Sequence, residues 1–295
     1  MDTQLRLGVV GAGTWARRVH APGIADHPGT ALSAVWARRP EAAAELAEQY
    51  CTTACSTFEE LLESVDAVAF AVPPAVQAEL APLAAAAGKH LILEKPLATS
   101  VEQAERLALA VDEAEVVSLV MLTLRYTMRA REWLAGLAED GGWKGGNGRW
   151  LSGAMLGEQY GNSPWRQAEG ALADIGPHTF DLLDAALGKI TSVLSAKRSS
   201  GDLWHVLLEH EGGATSTAAL SIRLPVIPTA VEFSVYGDAG LRTLVRKQPS
   251  ESEAYTALLD DFAAMIASGT RRHPCDVHRG VHLQRVLAEC LRLAS

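Results

Sequence analysis

The chain has no surplus of positive charge: Lys and Arg number 26 against 35 Asp and Glu, a formal net charge of −9. A field of that sign repels phosphodiester backbones and anionic lipid, and no Lys/Arg-rich block reverses it locally. Nucleic acid and membrane surfaces are therefore not expected as partners. Long hydrophobic runs are missing too. The longest, 65–72 and 116–122, stop far short of the ~20 apolar residues that cross a bilayer. The N-terminus carries Asp2 and runs directly into Leu5-Arg6-Leu7-Gly8-Val9-Val10, without the charged start, apolar stretch and cleavage site of a secretory signal, so a cytoplasmic location is expected. Cysteine is scarce. Cys51, Cys55, Cys275 and Cys290 are too few and scattered for a disulfide framework, and the Cys51/Cys55 pair lacks a second pair at zinc-finger spacing. Reduced, packing cysteines and no metal are expected.

What the chain does have is apolar material, 48% of 295 residues, enough for one large or two ordinary cores. Through the first 120 or so residues short apolar runs alternate with helix-period segments, the rhythm of βαβ units in a parallel sheet. Strands are predicted at 5–10, 31–37, 65–72, 90–93 and 116–122, with a shorter one near 51–56. The helices between them are punctuated. Pro40 suits a first helical position, Thr57 can cap the helix after it, Ser100 and Gln103 have capping-box spacing, and Gly88 stops a helix that begins near Val76.

After Leu122 the pattern changes to longer strand-like stretches at 149–155, 190–198, 203–211, 214–224, 230–236 and 241–245, which predicts a mainly antiparallel sheet. Residues 141–148 read as a glycine-dense loop and 237–240 as a hairpin turn. Two late helices each carry one apolar stripe, Tyr255, Leu258, Leu259, Phe262 and Ile266 in the first and Leu283, Val286, Leu287, Cys290 and Leu291 in the second.

Three constellations could carry chemistry. Gly11-Ala12-Gly13-Thr14-Trp15-Ala16 follows the first strand and opens a helix. A dinucleotide pyrophosphate needs backbone approach without a Cβ, exposed N–H groups and the positive end of a helix dipole, and this turn supplies them, with Ala16 as an accepted small residue at the third position. About 20 residues on, where a carboxylate would grip the 2′-hydroxyl of NAD, stand Arg38 and Arg39. Two guanidiniums favour a 2′-phosphate, so NADP(H) is predicted over NAD(H). The second constellation is Glu94-Lys95-Pro96 at the end of the apolar run 91–93; Pro96 keeps Lys95 out of helical geometry at the carboxyl edge where ligands of such sheets sit. With only six lysines in the chain, one at that edge is a candidate for proton exchange with a substrate hydroxyl. The third is Gly170-Ala171-Leu172-Ala173-Asp174-Ile175-Gly176-Pro177-His178, opening a helix that runs toward Leu187. Asp174 and His178, four apart, share one helical face, suiting His178 to acid/base work beside an orienting carboxylate. The competing reading makes Asp174 an N-cap, Pro177 a first-turn residue and His178 a packed side chain.

Together, Gly-x-Gly after strand one, Glu94-Lys95-Pro96 after the fifth strand and Gly-x-Leu-x-Asp-x-Gly-x-His in the second half resemble the glucose-fructose oxidoreductase, inositol dehydrogenase and rhizopine-catabolism (Gfo/Idh/MocA) family. Ala71-Val72-Pro73-Pro74 and Ala87-Gly88-Lys89-His90 support it, and the resemblance covers nearly the whole chain. It implies an α/β protein with a Rossmann dinucleotide-binding domain over 1–122. A C-terminal α/β domain over 123–295 would carry a large open sheet for substrate binding and homo-oligomer contact. It further implies a catalytic set of His178 as acid/base, Lys95 as polarising partner and alternate, and Asp174 as orienting carboxylate. The cofactor would lie against Gly11, Gly13, Thr14, Trp15, Arg38, Arg39, Pro73, Glu94 and Lys95. One departure stands out: Gln77 occupies the place where many members carry His after the proline pair, which weakens a cofactor or substrate role there.

Substrate contacts are expected from Arg125, Tyr160, Trp165 and Arg166, since aromatic faces stack on sugar rings and guanidiniums bind hydroxyl or carboxylate oxygens. A packed Trp165 and a salt-bridged Arg166 are the structural alternative. The expected activity is hydride transfer between NADP(H) and a sugar, polyol or related hydroxy or keto compound. A redox-cycling NAD-dependent glycosidase and a non-catalytic dinucleotide or ligand sensor are the rival classes.

Overall fold

Five apolar segments of the first half, too short to be helices and bounded by turn residues, form the strands β1 (Leu5–Val10), β2 (Thr30–Trp36), β4 (Ala67–Phe70), β5 (His90–Leu93) and β6 (Ser118–Val120), and the exposed pair Thr53–Ala54 adds β3. The computed structural model describes residues 4–157, 161, 163–246 and 251–294. All six strands pair in parallel, in the order β3-β2-β1-β4-β5-β6. Every residue of β4 and the last four of β1 are buried, as a sheet covered on both faces requires. The strand order reverses between β1 and β4, and in open α/β sheets that switch point is where the carboxyl ends leave a crevice.

The connecting helices are α1 (Ala21–Asp26), α2 (Pro40–Gln49), α3 (Phe58–Ser64), α4 (Pro74–Ala86) and α5 (Val101–Glu113). Thr57 closes a full capping box with Glu60. Ser100 accepts from the Gln103 amide, but the Gln103 side chain turns to the N–H and hydroxyl of Thr99, so the expected box at that helix is half made.

In the second half α6 (Thr123–Tyr126) and α7 (Met128–Asp140) precede β7 (Trp143–Leu151), α8 (Pro164–Leu187), β8 (Ile190–Ser199), β9 (Leu203–His210), β10 (Thr215–Ser221), β11 (Ala230–Gly237) and β12 (Gly240–Val245). The sheet order is β12-β11-β7-β10-β9-β8, antiparallel except where β7 meets β10. The glycine-dense loop expected at 141–148 is mostly strand, and the strand expected at 149–155 begins at Trp143. Packing explains the glycines. A Cβ on Gly148 would stand 2.8 Å from Thr179 Cγ2 on α8 and 3.1 Å from the Phe233 ring on β11, so this strand must lie close under its helix.

The helices predicted near the C-terminus are α9 (Glu251–Ser268) and α10 (Val277–Ala294). Met1–Met121 and Glu251–Val281 form one compact unit, Leu122–Ser250 and His282–Ser295 the other. Residues 251–281, expected with the C-terminal domain, group with the first unit. The reason is the stripe of α9, whose Tyr255, Leu258, Leu259 and Phe262 are fully buried, with Tyr255 against His20 and Phe262 against His90. Among the described residues no helix is long and apolar enough to cross a membrane.

Replacing Gly148 by Val should destabilise the protein by about 1–3 kcal/mol through overpacking. Gly136→Ala in α7, where a Cβ meets nothing within 4 Å, should instead stabilise it by up to about 1 kcal/mol through helix propensity. Urea midpoints of the two variants check both signs.

Candidate functional site

The glycine turn leaves β1 at the switch point. Gly11 has φ +112°, and its amide donates to Trp36 O at 2.8 Å. A Cβ there would collide with the carbonyl of Ala71 at the end of β4, so only glycine fits. Gly13 is exposed and a Cβ on it would meet nothing within 4 Å, the open cradle into which a pyrophosphate can settle. Thr14 is exposed beside it and Ala16 fully buried beneath it. The helix that follows opens with a π-turn, Ala16–His20, a form often found at functional sites. Arg17 ties this turn to α2, its guanidinium donating to Ala12 O at 3.1 Å and Ala42 O at 3.2 Å and pairing with Glu45 at 3.0 Å. Arg38 and Arg39 are exposed at the end of β2, directly before α2, and their side chains make no ion pair among the described residues.

The lysine turn leaves β5 on the same carboxyl edge. Lys95 is half-buried and its bond to Pro96 is cis. Glu94 and Trp15, both expected to face the cofactor, have their polar side-chain atoms directed to each other: Trp15 Nε1 donates to Glu94 Oε1 at 2.6 Å. The same Oε1 lies 3.0 Å from His20 Nε2, and Oε2 accepts from the Lys95 amide at 3.3 Å. His20 Nδ1 in turn lies 3.0 Å from the Tyr255 hydroxyl. Burial, then the nearby Glu94 carboxylate, push the Tyr255 phenol well above its ordinary value, so it remains an O–H donor. The tautomer with its proton on Nε2 fits both contacts, Nδ1 accepting from the Tyr255 hydroxyl and Nε2–H donating to Glu94 Oε1.

Gln77, read from sequence as a departure that weakens this region, is fully buried and holds the lysine turn by its backbone. Its amide nitrogen donates to Glu94 O at 2.8 Å and Leu97 O at 3.0 Å, and its oxygen accepts from Glu94 N at 2.8 Å. Pro73, half-buried at the end of β4, precedes α4, which carries Gln77.

In the second unit α8 is two helices joined at Gly170, whose φ of +70° breaks the first; the second runs on from Ala171. The cap of that restart is Asp202, not Asp174: its Oδ2 accepts from Ala171 N at 2.5 Å, while Oδ1 accepts from Trp204 Nε1 at 3.2 Å and from Arg198 Nε at 3.0 Å. Asp174 therefore lies inside the helix, on one face with His178, and Pro177 lies beyond the first turn. The Asp174 carboxylate pairs with Arg166 Nε at 3.2 Å across the kink. The guanidinium of Arg166 also covers Trp165, 4.5 Å from the ring centroid, so the salt-bridged alternative for Arg166 is realised. His178 is buried and stacks on Trp150 with centroids 5.6 Å apart. Arg125 is held by the buried Asp181 at 3.3 Å. Tyr160 lies outside the described residues.

Sequence reasoning missed His20, Tyr255, Asp202 and the clamp made by Gln77. Tyr255 was visible only as one member of an apolar stripe. The position of Gln77 just after a proline pair was the only signal available for the clamp.

Gln77→Ala should cost about 1–3 kcal/mol for each buried group left unpaired. Gln77→Glu should destabilise at least as much, since a carboxylate would face two carbonyl oxygens. Urea denaturation of both variants measures it.

Comparison with known proteins fits this geometry. Residues 5–122 match the model described as "Oxidoreductase family, NAD-binding Rossmann fold", and residues 146–241 match the "GFO/IDH/MocA C-terminal domain". A dTDP-3,4-didehydro-2,6-dideoxy-alpha-D-glucose 3-reductase of Actinomadura kijaniata is 37% identical over 105 residues, 35% of this chain and 32% of that protein. Levoglucosan dehydrogenase of Pseudarthrobacter phenanthrenivorans is 33% identical over 168 residues, 52% of this chain and 42% of that one. The matches span about a third to a half of the length of the first curated relatives. Among solved structures, GenD2 from gentamicin A biosynthesis, in complex with NAD, superposes with a TM-score of 0.87 at 21% identity, covering 100% of this chain and 95% of that one. With both halves matched in order, the glycine turn at the switch point and the lysine turn on the same sheet edge, the chain belongs to the Gfo/Idh/MocA family.

Proposed function

We propose that this protein is an NADP(H)-dependent oxidoreductase acting on a hydroxyl or carbonyl carbon of a sugar, polyol or related compound. The observation that carries the reading is the pairing, on one carboxyl edge, of an open glycine turn with a lysine turn fixed at every polar atom of Glu94. The sugar class is further supported by relatives named as a deoxyglucose 3-reductase and a levoglucosan dehydrogenase.

A bound dinucleotide supplies the hydride chemistry, and the work left to the chain is alignment and proton management. The exposed backbone around Gly13 and Thr14 would take the pyrophosphate, with Pro73 flanking it. Arg38 and Arg39, without internal partners among the described residues, would take the adenosine 2′-phosphate as charge-assisted donors. His178 is the acid/base that receives the hydroxyl proton on oxidation and returns it on reduction; Lys95 is the polarising partner and the alternate for that proton. Asp174, one turn before His178, is the orienting carboxylate and is itself held by Arg166. Trp165 and Arg166 form a stacked cation–aromatic surface suited to a polyhydroxylated ring, with Tyr160 and Arg125 as further contacts, Arg125 oriented by Asp181.

Titration of the cofactor-stripped protein should show NADPH bound more tightly than NADH. Arg38→Ala/Arg39→Ala should erase that preference, a loss of roughly 10- to 100-fold for NADPH at about 1.4 kcal/mol per tenfold. NADH-favoured binding by the unaltered protein would discard the NADP assignment. In a screen of sugars, polyols and their ketones, His178→Asn and Lys95→Ala should each lower hydride transfer by about 10²- to 10⁴-fold with dinucleotide affinity within a few-fold of the parent. A parent protein that binds dinucleotide and transfers no hydride at any pH would favour a sensor instead.

A further inference from the structure

Two residues that the proposed chemistry does not use are built into its support. Tyr255 sits on α9, about 240 positions from the glycine turn in sequence, yet its ring is fully buried against His20, centroids 4.8 Å apart and nearly edge-on. The space is made for it: a Cβ on Gly23, in α1, would collide with the Tyr255 ring. Its hydroxyl meets His20 Nδ1 at 3.0 Å, His20 Nε2 meets Glu94 Oε1 at 3.0 Å, and that oxygen also takes the Trp15 indole N–H at 2.6 Å. Each donor in the chain has one acceptor, and the chain ends on the single carboxylate shared by the glycine turn and the lysine turn. A tyrosine needed only for volume would not require its hydroxyl to meet a buried imidazole that is itself committed to a carboxylate.

We propose that Tyr255 and His20 are positioning residues for cofactor binding and proton handling, acting through Glu94 to hold Trp15 of the glycine turn and the backbone of Lys95 in one fixed relation. The proposal rests on the reading of the glycine turn as the dinucleotide site. By itself Glu94 could rotate to satisfy either turn; with His20 oriented by Tyr255, Oε1 is committed to Trp15 and His20, and Oε2 is left to the Lys95 amide. The arrangement is a dead end for protons, because Tyr255 is closed off from solvent, so its role is orientation and not relay.

The test is a double-variant cycle on NADPH affinity, which needs no knowledge of the substrate. Tyr255→Phe keeps the ring in its packed place and removes only the hydroxyl; Trp15→Phe removes the other end of the chain. Each should weaken NADPH binding about 3- to 10-fold, and the double variant should be no weaker than the worse single one, since both act through Glu94. Multiplying effects would mean that the Tyr255 hydroxyl acts independently of the Trp15–Glu94 contact and would overturn the proposal, as would an unchanged affinity in either single variant. A second readout is competitive acetylation followed by mass spectrometry. The pH profile of Lys95 labelling should shift in Tyr255→Phe and His20→Gln while Lys189 and Lys197, in the other unit, keep theirs; equal changes at all three, or none at Lys95, count against it. Should the parent bind neither NADPH nor NADH, the dinucleotide reading itself fails and the proposal with it. Parent binding with indifferent variants removes the proposal alone.

Discussion

The carboxylate of Glu94 is largely removed from water, and an ion in that position is tolerated only if its lone pairs are filled by fixed donors. Three donors fill them, from Trp15, His20 and the Lys95 amide, and they come from two stretches of the first unit, the glycine turn with its π-turn and the lysine turn. The main chain of the same residue is held at both its N–H and its carbonyl by the side-chain amide of Gln77. A group so constrained cannot adjust to its surroundings, and the surroundings must be built around it. That accounts for the π-turn, which carries His20, for Gly23, which leaves room for the tyrosine that orients His20, and for the return of α9 to the first unit. Chemistry that depends on aligning a lysine needs its supporting residues fixed before ligand arrives, because orientation paid for in folding need not be supplied again on binding.

The parts of this fold that were legible from sequence are those decided locally. The parallel strands show as short runs bounded by turn residues, and Thr57 with Glu60 is a complete capping signal within four residues. The glycine turn, the lysine turn and the Asp174–His178 helix could be placed because each lies at a strand or helix end that periodicity locates. What stayed hidden is decided by partners distant in sequence. Gly145, Gly146 and Gly148 spell a loop until the Tyr236 ring of β11 is found over the first and the Thr179–Leu187 part of α8 over the other two. The cap of the second half of α8 comes from Asp202, 31 residues from the amide it holds, so the nearer Asp174 was the natural candidate and is free of that duty. Tyr255 looks like one apolar-stripe residue among five, since nothing local reveals that its hydroxyl has a histidine 235 positions away to meet. Gln77 illustrates the limit of motif reasoning most sharply: measured against a family pattern it was a loss, whereas its hydrogen bonds make it a structural clamp.

The second unit solves a related problem differently. Its histidine is fixed by packing, stacked on Trp150, and its helix is fixed by a remote cap. The break at Gly170 is what makes the remaining geometry work. An unbroken helix would carry Arg166 and Asp174 eight residues apart, more than two turns along one rod, about 12 Å of rise at 1.5 Å per residue. The kink folds the leading segment back far enough for a 3.2 Å ion pair. Glycine is needed there because the φ of +70° is strained for any other residue and because a Cβ would run into the Asp202 carboxylate that caps the restart. One glycine and one aspartate thus fix where the helix begins again, and the helical register from that point places Asp174 and His178 on a common face while leaving Asp174 within reach of Arg166.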